Sequence, residues 1–142
     1  MRLLVWLFDI RKWQLVENWH FEIETGPEIV IPKDFSFDGA SIPRIFWAIL
    51  SPVGLLLIPG LIHDYGYRFN LIWQKTATGE IVPYMEDVGQ KAWDGLVRRV
   101  GVQVNGFAII DFIAWLGLRI AGCFAWNKHR EANQTPVPPV LD

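Results

Sequence analysis

The stretch LLLIPGLIHDYGYRF, residues 55 to 69, constrains this chain more than any other. An apolar run ends in His63, Asp64, Tyr65, Tyr67 and Arg68, so one segment must enter a core and still house an imidazole beside a carboxylate. Ionisable groups drawn out of water need partners, and their concentration behind an apolar run points to a site rather than to scaffold. Pro59 and Gly60 are suited to open a helix, expected through LIHDYGYRFNLIW. On that helix His63 and Tyr67 stand at i, i+4 and share one face, while Asp64 and Arg68 share another.

The rest of the chain must supply the core around this helix. With 142 residues, 51% of them hydrophobic and 20% charged, the chain is expected to fold as one domain over residues 1–130, followed by a flexible proline-rich tail at 131–142. A net charge of −2 and the lack of any basic run interleaved with aromatics argue against nucleic acid as a partner. The single cysteine, Cys123, forbids an intrachain disulfide and reads as a buried thiol. No cleavage site follows the short apolar stretch MRLLVWLF, so no signal peptide is expected and the cytoplasm of the producing cell is the default location.

Residues 13–23 and 28–32, on either side of the turn ETGPE, read as an antiparallel pair of strands. KDFSFDGASIPRIFW then loses periodicity and reads as a loop carrying Asp38 and Gly39. Residues 74–83 form a polar connection with the look of a small hairpin. A second helix is expected through YMEDVGQKAWDGLVRRV and ended by Gly101, with Asp87, Gln90, Lys91 and Asp94 on one polar stripe. A third, apolar helix is expected at 106–126. It has the length of a membrane span, but Asp111 and Arg119 would each cost ~2.5–3.5 kcal/mol at mid-bilayer against ~0.3–0.6 returned by each Leu, Ile or Phe, which favours a core or membrane-surface helix. The expected fold class is α+β, mainly α: a small N-terminal antiparallel β-hairpin followed by a three-helix core.

A histidine can take a proton from water near neutral pH when another group fixes its ring. Asp87, one helix away, is a candidate for that role, with Gln90 and Asp94 as alternatives on the same stripe. Asp64 is adjacent to His63 and diverges from it by about 100° on a helix, which leaves it for other work. Asp38 and the carbonyl of Gly39, with Asp64, offer the oxygen donors that suit a hard cation such as calcium. His20 and His129 have no metal-ligand spacing around them.

DGASIPR, an apolar stretch, HDYGYR and then a helix bearing an acid resemble a family of phage and prophage proteins, the domain-of-unknown-function family thirteen fifty-three, over roughly residues 13–125. More distantly, the Asp-Gly loop followed by His-Asp-x-x-Tyr resembles the small bacterial and fungal secreted phospholipases A2. That resemblance implies a phospholipase-A2-like core in which His63 is the general base, Asp64, Asp38 and the Gly39 carbonyl hold calcium, and Asp87 with Tyr67 backs the histidine. It implies a phospholipid or membrane surface as partner. The secreted enzymes carry disulfides and a signal peptide, whereas this chain can form no internal disulfide. Two other functions stay open: a different metal-dependent hydrolase, and a non-enzymatic phage accessory or structural protein that binds a virion or membrane partner.

Overall fold

The computed structural model describes residues 2–5, 11–37, 57–106, 126–127 and 135–140. In chain order the elements are β1 (Arg2–Val5), β2 (Arg11–Gln14), β3 (Trp19–Glu22), β4 (Glu28–Ile31), β5 (Ser36–Phe37), α1 (Leu57–Phe69), β6 (Leu71–Lys75), β7 (Ile81–Glu86) and α2 (Gln90–Asn105). The strands form two antiparallel sheets, one of three strands in the order β1-β2-β5 and one of four in the order β3-β4-β6-β7. The expectation of a mainly α chain with a three-helix core is therefore overturned: the described residues hold two helices and two sheets. The third expected helix, 106–126, lies almost wholly outside the described residues, as do Cys123 and His129.

The N-terminal hairpin exists as β3–β4, with Trp19 opposite Ile31 and Glu22 opposite Glu28. It is half of a larger sheet, because LIW does not continue α1. Asn70 takes a positive φ of 51° and its N–H donates to the Gly66 carbonyl at 2.8 Å. Asparagine tolerates this left-handed geometry better than most residues, so the helix closes at Phe69 and Leu71, Ile72 and Trp73 turn into a strand beside β4. A short buried apolar run fits a helix or a central strand equally well by periodicity, which explains the difference.

β6 and β7 close a hairpin through Thr76–Gly79, where Gly79 at φ 87° donates its N–H to the Thr76 carbonyl. Pro83 lies in β7, the edge strand, where a missing N–H is tolerated. Tyr84, Met85 and Glu86 thus belong to a strand, and α2 begins later than the sequence suggests, at Gln90 after Gly89 with φ 80° and ψ 165°. It also runs past Gly101 and ends against Gly106, whose left-handed N–H caps the Val102 carbonyl.

β4 is central and its Ile29, Val30 and Ile31 are all buried, so both faces of the sheet are covered at that strand. Leu61, Ile62, Tyr65, Tyr67, Ile72, Trp93, Leu96 and Val100 join the same core. α1 packs against α2 at Gly66. A Cβ built there would lie 2.3 Å from Trp93 Cε3, so only glycine lets the indole lie flat against the helix. The glycine of HDYGYR is in this sense a packing residue.

Arg68 fixes the other side of α1. Its Nη1 donates to the Ser36 carbonyl at 3.1 Å and its guanidinium sits 4.9 Å from the centroid of the Phe35 ring. These contacts tie α1 to β5.

Candidate functional site

The 3.6-residue repeat puts His63 and Tyr67 on one face of α1, and their rings lie 3.8 Å apart between centroids, tilted by 38°. Tyr67 also meets Trp126 in a T-shaped contact, with ring centroids 5.3 Å apart. It is both a packing aromatic and a hydrogen-bond donor: its ring is buried, and its hydroxyl donates to Asp94 Oδ1 at 2.5 Å.

Asp94 is the carboxylate that α2 brings to this face, and it is only 1% exposed. The polar stripe expected on α2 is therefore divided. Lys91 faces solvent, Asp94 enters the interior, and Asp87 is not on the helix at all. Asp87 occupies the turn between β7 and α2 at φ 52°, is exposed, and accepts a hydrogen bond from Asn70 Nδ2 at 3.2 Å. Gln90 is the first residue of α2. Of the three candidates for the group behind His63, Asp94 is the one bonded to Tyr67.

His63 itself is 9% exposed. Its Nδ1 lies 3.4 Å from Asp64 Oδ1, beyond the usual range for a firm hydrogen bond, so the adjacent carboxylate does come near the ring despite their divergence on the helix. Its Nε2 is buried and has no hydrogen-bond partner among the described residues. A buried polar atom left in this state costs roughly 1–3 kcal/mol, and such atoms concentrate where a substrate, ion or water completes the set.

Calcium requires about six to eight oxygen ligands. Of the expected calcium donors, Asp64 lies among the described residues, its side chain 16% exposed, whereas Asp38 and Gly39 lie outside them. Among the described residues no group of three His, Cys, Asp or Glu side chains converges on a metal-sized space.

Around the cluster the polar groups are closely paired. Trp93 Nε1 donates to Asn70 Oδ1 at 2.8 Å, and Trp73 Nε1 donates to the Tyr65 hydroxyl at 3.0 Å. Burial pushes the Tyr65 phenol up to about 12, with the Trp73 hydrogen bond opposing part of that rise. Asn70 and Trp93 were not singled out by sequence motif. The signal available was an asparagine directly after an apolar helix, the position of a left-handed C-terminal cap.

The chain is thus an α+β protein in which a helix pair buries a histidine, a tyrosine and a carboxylate side by side. It belongs to the family described as Protein of unknown function (DUF1353), which matches residues 13–102. No curated protein and no solved structure matches the chain.

Proposed function

We propose that the chain is a hydrolase of lipid esters in which His63 acts as general base and Tyr67 with Asp94 holds its surroundings. The observation that carries this reading is the close, tilted contact of the His63 and Tyr67 rings, with the Tyr67 hydroxyl bound to buried Asp94 and His63 Nε2 lacking a partner among the described residues. A base needs a ring nitrogen that no protein group occupies and a held ring position; His63 Nε2 has no partner among the described residues, and its ring lies against Tyr67, which supports the reading. In this mechanism His63 removes a proton from water, the resulting hydroxide attacks the ester carbonyl, and the proton passes from the imidazolium to the leaving alcohol. Asp94 acts through Tyr67, as a positioning group.

Asp64 is assigned as a cation ligand, together with Asp38 and the Gly39 carbonyl. Calcium bound there would supply Lewis-acid polarisation of the carbonyl. Lipid as substrate, calcium as cofactor and a phage or prophage origin rest on the order of motifs, the Asp-Gly loop followed by HDYGY. No helix among the described residues is long and apolar enough to cross a membrane.

The test is release of fatty acid from phosphatidylcholine and phosphatidylglycerol vesicles, with millimolar calcium or with chelator, by the parent chain and by His63→Ala and Asp64→Asn. Calcium-dependent release that His63→Ala abolishes in a folded protein is the expected result. Release retained by folded His63→Ala ends the proposal. No release by the parent chain under any condition also ends it, and makes a non-enzymatic binding protein the better reading.

A further inference from the structure

The contact between Tyr67 and Asp94 depends on how α2 sits along α1. Tyr67 follows Gly66 in sequence and Asp94 follows Trp93, so the polar pair lies one residue from the place where the indole of α2 packs against the backbone of α1. A slip of one residue along α2 amounts to about 1.5 Å of rise and about 100° of rotation, enough to carry a carboxylate out of reach of the hydroxyl. Apolar side chains do little to forbid such a slip, because hydrophobic contact is non-directional. Leu96, Val97 and Val100, which supply the rest of the buried face of α2, are of this kind.

Hydrogen bonds do have direction, and one set spans the crossing. Trp93 Nε1 donates to Asn70 Oδ1 at 2.8 Å, and Asn70 Nδ2 donates to Asp87 Oδ1 at 3.2 Å. The Asp87 N–H in turn donates to the Asn70 carbonyl at 3.0 Å, and the Asn70 N–H returns to Gly66 at 2.8 Å. One residue, Asn70, therefore joins the end of α1, the turn that precedes α2 and the indole lying on Gly66. It is 7% exposed and Trp93 is fully buried, so neither can exchange these bonds for water without opening the core.

We propose that Asn70 and Trp93, seated on Gly66, form a register lock that sets Asp94 against Tyr67 and are positioning residues of the His63 site. This rests on the hydrolytic reading for its importance, but the lock itself is read directly from side-chain signals and stands or falls without turnover.

The experiment follows the Tyr67 ring and the His63 imidazole nitrogens by NMR in the parent chain and in three variants. Trp93→Phe keeps an aromatic ring on Gly66 and removes the donor. Asn70→Gly keeps the left-handed turn, which glycine adopts freely, and removes the side chain. Leu96→Val is a core change with no polar contact. Both lock variants are expected to shift the Tyr67 hydroxyl-bearing carbon and the His63 nitrogens at temperatures where helix content is retained, while Leu96→Val leaves them in place. If Trp93→Phe does not fold, Asn70→Gly alone decides. Unchanged Tyr67 and His63 signals in a folded lock variant would overturn the proposal, whatever its loss of melting temperature. Absence of hydrolysis by the parent chain defeats the catalytic reading and leaves this measurement intact.

Discussion

Two histidine–carboxylate pairs in this protein invite opposite readings from distance and from environment. His20 Nδ1 and Glu28 Oε1 approach to 2.7 Å across β3 and β4, with side chains 36% and 39% exposed. His63 Nδ1 and Asp64 Oδ1 stand 3.4 Å apart, with side chains 11% and 16% exposed. The shorter contact is the weaker candidate for function, since an exposed pair trades its attraction against hydration and side-chain entropy and contributes only ~0–1 kcal/mol. The longer one belongs to a ring packed on Tyr67 and walled from water, where each polar atom must be completed by the protein or by something it binds. Burial, with His63 Nε2 lacking a partner among the described residues, separates a site from a surface ion pair more than proximity does.

The sharpest way to break this comparison is to remove each histidine in turn. His63→Ala is expected to lower ester hydrolysis by ~10²–10⁴-fold, the usual contribution of a general base, while His20→Ala leaves the rate as it was. Equal losses from both, measured as fatty-acid release by proteins of equal helix content, would dissolve the distinction.

The next effect concerns what holds the buried pair's helix. Gly66→Ala forces a Cβ to within 2.3 Å of Trp93 Cε3 and is expected to cost about 3 kcal/mol, the upper end for overpacking, because backbone and indole are both rigid. Urea unfolding reads it directly, and an unchanged midpoint would mean that α1 and α2 do not meet as described.

A smaller effect follows from Tyr65 on the same helix. Its folded value near 12 lies above the ordinary value of 10.0, so the folded state keeps the phenol's proton where the unfolded chain has released it. The sign is therefore a stability that is whole below pH 10, falls as pH rises through the interval, and is gone above about pH 12, by an amount of order 2 kcal/mol. Tyr65→Phe should flatten melting temperature against pH over that interval, and an identical slope in the variant would assign the fall to other groups. Least of all, Glu28→Gln should change stability by less than ~1 kcal/mol, with the difference shrinking in high salt; a larger loss would show that the exposed pair had been underrated.

Much of α1 was legible in advance. HDYGYR reads as helical from Pro59 and Gly60, and the 3.6-residue repeat alone puts His63 beside Tyr67. The β3–β4 pair is written in its alternation and its turn. Such features are local, decided by residues a few positions apart. The boundary at Asn70 was less legible, since LIW fits a buried strand as well as a helix, and the left-handed turn before it rests on an asparagine that many helices end without.

Which carboxylate meets Tyr67 could not be read from the chain at all. Asp87, Gln90 and Asp94 share one stripe if the second helix starts at Tyr84, and the stripe dissolves once β7 takes Tyr84–Glu86 and α2 starts at Gln90. By itself, then, the sequence determined the pairing of His63 with Tyr67, because backbone periodicity is an intrinsic property of a helix. Only the tertiary structure decided that Asp94 completes the pair and that Asp87 turns to Asn70, because those contacts bridge 27 and 17 residues and depend on the register of one helix against another. That register is fixed by Trp93 on Gly66 and by directional bonds through Asn70, none of which a hydrophobic pattern encodes.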